Sequence, residues 1–578
     1  MALRKNAPIR FVAAGLSGAL DGTDAFPGAC SILQNLIPDI STKGLWVCRP
    51  ASIEQTTFSE FTTPGYVSAG YINGSRFYGL VASGLTSGFD EPFCYDLVSR
   101  AFIPIAGVTG LNVPTSPTTT GDWEPPTMAL VGTKLIVTHP GFSFAGGNAF
   151  GWFETSDPAN VTWNAGNTTG ALALPARPNA VAQFGGRAWF LVNPAVGQPT
   201  AYFTDILLLN ITNTGQALTF DDNKTLTAAV GLPLENQLGG IIQSLVVFKD
   251  SSNMYQITGD YALNTLAKNA MNVATWTKAP RSICVTPKGV MFVSPDGVRL
   301  IDFNARISDP IGEEGAGVNT PFVNALYPSR ISAAANANTM RVAVRDGSIA
   351  GTPINEYWFD LVKQKWSGPH TFPTDLALAY NNTFIIVPTG IPRSLWQSDV
   401  ITSSLSSFIE NGAAMNCVMQ TALLPDTGGM TSNAVVETLL EIELPRYPST
   451  VVFSARDEDN ANIIPPVILA DSTELSYWGT AVWGRSLWAG RANPLRRLSV
   501  PWAMPIVFTR MSMYINFTAS ADARIGAMLI RYQTVGAMML TPNAFAVDAI
   551  AVAQQHNFLL GGVPVGTEPL TGSTETSP

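Results

Sequence analysis

Three histidines, His139, His370 and His556, are the side chains whose ordinary pKa suits proton transfer near neutrality. His139 and His370 each stand beside a proline or glycine in turn-like surroundings, and His556 sits in the glycine-rich C-terminal stretch. All three read as structural or solvent-facing groups. No GxSxG elbow, HExxH helix or GxxxxGK[ST] loop occurs, so hydrolase, metalloprotease and P-loop chemistry find no motif. Carboxylates are better placed. Asp90 with Glu91, Asp205, Asp260, Asp302 and Asp360 all fall near the ends of strand-like runs, where paired acids could cleave a glycosidic bond. An aspartate at such a corner is first a turn-capping group, and the "SPDG" of 294–297 lacks the separated Asp and Gly and the downstream Trp of a sialidase Asp-box. "DEDN" (457–460) clusters oxygen ligands without EF-hand spacing and reads as a hairpin tip. The five cysteines are scattered, odd in number and without CxxC spacing, as for buried free thiols of a reducing compartment. The expectation is therefore no catalytic residue, no cofactor, no metal and no enzymatic activity. Trp478, Trp483 and Trp488 lie five residues apart in "YWGTAVWGRSLWAG". They would serve as a sugar-stacking platform or as rigid subunit-interface anchors. The stretch carries no carboxylate, which favours anchors.

The elements that must hold these residues are strands. "GVMFVSPDGVRLIDF" (289–303) is an apolar, β-branched run, a Pro/Gly turn and a second run, which is a hairpin with a mechanism. Similar units begin near 74, 132, 185, 243, 289, 340 and 381, the second strand often carrying an aromatic residue beside an Asp. The spacing is too loose for a strict repeat but suits one four-stranded blade per unit. The chain is thus expected to be all-β: a β-propeller of about seven blades, six or eight also being compatible, over 51–405. A string of β-sandwiches is the alternative. An extended arm (1–50) precedes the propeller. A C-terminal β-sandwich (406–540) follows, with longer strands in 433–459 and 505–536. The Gly/Pro/Ser/Thr-rich tail (541–578) is expected to be ordered only by a partner.

Bulk composition agrees. Charged residues are 13%, about half of the roughly 25% usual for globular proteins. The net charge is −9 with no basic stripe, which excludes tight nucleic-acid binding through the backbone phosphates. Surface so poor in charge fits coverage by neighbouring subunits, or a weakly charged secreted protein. The N-terminal apolar stretch is broken by Gly15, Ser17 and Gly18, which argues against a secretory signal, and no 18-residue apolar span occurs.

Four stretches, in order, resemble the tail nozzle or stopper proteins of short-tailed bacteriophages (tail tubular protein B, packaged-DNA stabilisation). They are "NLIPDISTKGLWVCRPA" (35–51), "LVVFKDSSNMYQITGD" (245–260), "GVMFVSPDGVRLID" (289–302), and "WGTAVWGRSLWAG" (478–490) with "RRLSVPWAMPIVFTRMSMYINF" and "ARIGAMLIRYQTVG" (496–517, 523–536). Segment 105–180 and the end beyond 540 match poorly. The resemblance implies a virion tail protein made in the host cytoplasm. It would form a six-fold ring below portal and adaptor, extend the DNA channel, retain the genome until ejection, and carry fibres or a distal plug. Double-stranded DNA would slide through an acidic ring without specific binding. Two other classes stay open: a propeller that binds or cleaves glycans, and a monomeric secreted adhesin.

Overall fold

The computed structural model describes residues 9–57, 66–112, 122–271, 273–311, 320–347, 354–398, 408–469, 496–519 and 524–537, with short breaks inside several of these ranges. Trp478, Trp483, Trp488, His556 and the tail 541–578 lie outside the described residues.

Among the described residues seven antiparallel meanders follow one another, spanning 66–103, 127–166, 180–219, 226–270, 284–307, 332–370 and 374–398. Each is a blade whose strands we letter a to d in chain order. The hairpins legible in the sequence are strands b and c; strand a precedes them and strand d follows. Blade 5 replaces d with a bridge between Ile301 and Ile307. Blade 7 takes its d strand from far upstream: Ile53–Thr57 pairs antiparallel with Ser394–Ser398, Thr56 opposite Leu395. That exchange hides the last open edge and closes the ring.

Apolar clusters join every neighbouring pair of blades around the circle. Tyr78 and Leu135 bridge blades 1 and 2, and the stacked rings of Phe150 and Phe190, 4.7 Å apart, bridge 2 and 3. Trp189 and Leu245 share the cluster between 3 and 4, and Phe248 meets Phe292 edge-on at 5.2 Å between 4 and 5. Met291 with Val342, Ala334 with Phe384, and Leu376 with Val67 complete the circuit. Among the described residues, 66–398 with Ile53–Thr57 form a seven-bladed β-propeller.

The a strands converge on the axis and carry Ala69, Ala180, Ala182, Ala228, Ala333 and Ala377, because larger side chains would overfill the centre. Farther out, strands leave room for aromatic rings instead. A Cβ on Gly151 would stand 2.3 Å from the Trp163 ring, which is itself packed edge-on against Phe153. Gly151→Val is accordingly expected to cost about 1–3 kcal/mol, read as a lower urea midpoint at unchanged m-value.

The C-terminal β-sandwich has two sheets that share one core. One contains Ala29–Gln34, Asn416–Thr421, Ser512–Thr518, Val451–Arg456 and Val467–Leu469. The other contains Leu36–Pro38, Trp46–Cys48, Arg524–Ala537, Thr431–Glu443 and Arg496–Ser499, with Ile9–Phe11 added on Arg524–Ala537. One outcome differs from the sequence expectation. The segment 1–50 is no free arm over its described part, since its strands supply both sheets. The longer strands read in 433–459 and 505–536 divide between the sheets, Thr431–Glu443 and Arg524–Ala537 in one, Val451–Arg456 and Ser512–Thr518 in the other. Alternation of apolar and polar residues shows that a strand is half-buried, but not which sheet it joins.

Propeller and sandwich are fused by backbone and by charge. The d strand of blade 6 meets the sandwich where Gly368 pairs with Leu33. Asn35, with φ of 56°, donates its N–H to His370 Nδ1 at 3.0 Å and its Nδ2 to the Asn416 carbonyl at 2.7 Å. Arg49, fully buried, donates Nε to Asn35 Oδ1 at 2.9 Å and both terminal nitrogens to Glu410, at 2.8 and 2.7 Å. Beside this latch, Arg341 donates from one nitrogen, Nη2, to both Glu356 oxygens at 2.9 and 2.7 Å, both side chains wholly buried, and Trp358 Nε1 donates to the same carboxylate at 2.9 Å. Four cysteines are buried and Cys284 is partly exposed; all five are free.

Candidate functional site

In each meander strand a starts, strand b ends and strand c starts on one face, while the a-to-b and c-to-d turns lie on the other. Charged side chains gather on the first face, around the axis. The approach to blade 2 crosses this mouth. Asp122 accepts the Ser329 N–H at 3.1 Å and its hydroxyl at 3.3 Å, on the approach to blade 6, which is not a neighbour of blade 2 in the ring. Glu124 accepts from Asn179 Nδ2 at 3.2 Å, at the start of blade 3, and its carbonyl receives His139 Nε2 at 2.7 Å. Pro126 of the same segment helps line the axial cavity, about 240 Å³, whose walls combine alanines of the a strands with Tyr71, Met128, Leu378 and Arg281. That cavity cannot admit a nucleic-acid duplex.

Beside this segment stand the basic residues, since Ser329, bonded to Asp122, precedes Arg330. Arg330 Nη2 reaches Asp375 Oδ1 at 3.1 Å and Arg281 Nη1 reaches Asp375 Oδ2 at 3.6 Å. Arg330 and Arg345 both lie against the Tyr327 ring, 5.6 and 5.4 Å from its centroid. Burial pushes the Asp375 carboxyl up, to about 8, and the Arg281 guanidinium down, to about 9, with Arg330 adding repulsion to the latter. Burial also lowers Arg330 and Arg345, the second further depressed by the first. On the acidic side burial raises Asp122 and Glu124, and Asp122 and Asp250 push Glu124 further. Adjacent clusters of shifted groups around a cavity mouth form the best candidate binding site on the molecule.

The carboxylates singled out in the sequence lie elsewhere. Asp260, Asp302 and Asp360 sit on c-to-d corners of the opposite face and accept backbone N–H groups two to four residues on: Asp260 from Ala262, Asp302 from Asn304 and Arg306, Asp360 from Val362 and Lys363. Asp96 caps its corner in the same way, from Val98 and Ser99. Asp205 is held by Gln216 and Arg187. Asp90 and Glu91 lie together in the c strand of blade 1, Glu91 exposed. Among the acids whose side chains are described, Glu91, Asp205, Asp260, Asp302 and Asp360, no two converge. His139 is buried and neutral, its pKa lowered by burial, with Nδ1 accepting the Gly141 N–H at 3.0 Å. Asp457 accepts the Ala461 N–H in its hairpin tip. Among the described residues no group of three potential metal ligands forms, and no helix is long and apolar enough to cross a membrane. The interface anchors Trp478, Trp483 and Trp488 lie outside the described residues.

No protein-family model matches the chain, and no curated protein matches it. Solved structures similar to it include Chaetomium thermophilum Raptor, at 8% identity and a TM-score of 0.36, covering 62% of this chain and 29% of that one. A puromycin hydrolase matches at 10% identity and 0.37, covering 64% and 61%, and a Trypanosoma rangeli sialidase at 9% and 0.25, covering 88% and 95%. The chain thus spans under a third of the Raptor chain and under two thirds of the hydrolase. At such scores these likenesses say nothing of substrate or mechanism, and the fold rests on the blade topology itself. The expectation of no enzymatic activity does not stand: two of these three neighbours are enzymes, and likenesses of this strength decide the matter in neither direction.

Proposed function

We propose that the chain is a structural subunit of a short-tailed bacteriophage tail, the nozzle ring below portal and adaptor. The observation that carries this reading is where the family-like residues lie. Asn35 and Arg49 of the first motif form the latch between propeller and sandwich. Lys249 of the second is fully buried, pairs with Asp222 and lies 4.6 Å from the Tyr255 ring centroid of the same motif. Gly259, at φ of 91°, turns the chain where a Cβ would stand 2.2 Å from the Thr265 carbonyl oxygen. Asp296 of the third pairs with Arg299 across the hairpin end. The resemblance therefore runs through the residues that make the body rigid, as a ring component requires. The narrow axial cavity means that a DNA conduit would run between copies, and a net charge of −9 per copy favours sliding over clamping.

The face bearing the c-to-d corners offers contact surface. Val98, Ile206, Leu207, Leu208, Leu263 and Val362 are exposed there, each just beyond a corner aspartate. Leu207→Asp with Leu208→Asp is expected to abolish ring formation while changing monomer stability by less than about 0.5 kcal/mol, measured by native mass spectrometry beside a thermal melt. The reading itself is tested by electron microscopy of the full chain mixed with a portal–adaptor complex. A six-membered ring extending the channel supports it; a chain that never joins that complex overturns it.

A second reading, a propeller that binds or cleaves glycans, is favoured by the charged groups converging at the axial mouth. Saturable glycan binding or hydrolysis by the isolated monomer would establish it.

A further inference from the structure

Between blades 6 and 7, on the mouth face, a pocket of about 20 Å³ is lined by Tyr327, Arg330, Arg345, Thr374 and Asp375 over an apolar floor of Val344 and Ile354. It has room for one water or for the oxygens of one small group. Three features give it a chemical preference. Arg330 and Arg345 both lie against one phenol ring, 5.6 and 5.4 Å from the Tyr327 centroid, so two like charges share the wall. Arg345 makes no ion pair among the described residues, whereas the pocket's one carboxylate, Asp375, is engaged by Arg330 and Arg281. The Thr374 side chain is wholly buried, and its hydroxyl has no hydrogen-bond partner among the described residues. A buried hydroxyl without a partner is costly, and water or a ligand oxygen would satisfy it.

We propose that this pocket binds the terminal oxyanion of a ligand, a carboxylate or a phosphate, with Arg345 as charge partner and the Thr374 hydroxyl as second donor. Guanidinium groups match both oxyanions through paired N–H donors, and neutral hydroxyl ligands would gain neither charge nor fork geometry. Ser329, next to Arg330 of the pocket, is held by Asp122, which puts the acidic segment near this pocket. The inference goes beyond both readings above, since an acidic polysaccharide and a phosphorylated ligand would each present such a group.

The test is calorimetric titration of the full chain with glucuronate and with inorganic phosphate, against glucose and chloride at matched ionic strength. At least one of the two anions is expected to bind saturably at one site. Arg345→Gln should weaken it about tenfold, and Thr374→Val about threefold or more without lowering the unliganded melting temperature. Saturation by glucuronate alone assigns the site to acidic sugars and by phosphate alone to phosphate groups. Either supports the proposal, as does binding of both. Binding no stronger than chloride, or undiminished in the variants, overturns it. Should Arg345→Gln fail to fold, Thr374→Val, which removes only a hydroxyl, decides alone.

Discussion

Arg341→Met is expected to destabilise the chain by about 3–5 kcal/mol, with the urea midpoint falling accordingly. Arg341 and Glu356 stand on adjacent strands of blade 6, opposite Trp358 and Ala343 respectively, with neither side chain reached by solvent. The guanidinium is also stacked on the Trp358 ring, 4.4 Å from its centroid, and lies 5.1 Å from that of Phe384 in blade 7. It donates besides to Ser398, on the strand that receives the closing strand Ile53–Thr57. Removing the cation leaves the Glu356 carboxylate buried with the Trp358 indole N–H as remaining donor, and the uncompensated charge, more than the lost pair, sets the cost. A paired substitution separates the two terms. Arg341→Met with Glu356→Leu should recover most of the loss, because an apolar pair of similar volume avoids two desolvations. If the double variant is no more stable than Arg341→Met alone, the ion pair is contributing shape and ring closure instead of charge balance.

The same residues show what the sequence could reveal. Strands b and c were legible in every blade because they combine β-branched and aromatic runs with short turns, as in 289–303. Strand a was not, since alanine-rich stretches such as Ser332–Ala335 follow no strand propensity and are strands only because seven of them meet at an axis. A signal was present all the same. Pro126, Pro178, Pro280, Pro328 and Pro373 each stand shortly before an a strand, where the chain crosses to the axis. Three of these prolines are followed within two residues by Arg281, Arg330 or Asp375. Those site residues belong to different blades, far apart in the chain, so only ring closure brings them together. Likewise nothing local shows that Ile53–Thr57 completes a blade that begins at Thr374. The corner aspartates were the opposite case: fixed spacing from a turn made their capping geometry readable, while the mouth carboxylates Asp122 and Glu124 had no such frame.

Arg49→Met is expected to cost a similar 3–5 kcal/mol at neutral pH, and its effect should shrink in acid, which distinguishes it from a packing defect. Burial alone would raise the Glu410 carboxyl, yet the Arg49 charge, its two hydrogen bonds and the Ser52 N–H hold it below the ordinary range. A depressed carboxyl contributes stability above its unfolded pKa, about 4.3, and loses that contribution as pH falls through the folded value. In Arg49→Met the lone buried carboxyl instead takes up a proton readily, so the gap to the wild type should narrow steadily below about pH 5. His370 adds a second acid-sensitive element. Burial first, then Arg49 and Arg341, keep its imidazole pKa well below 6.5, and its Nδ1 must stay unprotonated to accept the Asn35 N–H. The unfolded chain binds that proton from about pH 6.5 downward, so the wild type should lose about 1.4 kcal/mol per pH unit through this one group. Without Arg49 the repulsion on His370 is weaker, which narrows the gap further in the same direction. Denaturation midpoints of both chains from pH 7.5 to 4 would measure the difference. A gap that is constant across this range would show that Arg49 acts through packing, its guanidinium lying 6.0 Å from the Trp358 ring centroid, not by neutralising Glu410, and the latch would have to be redrawn as an apolar joint.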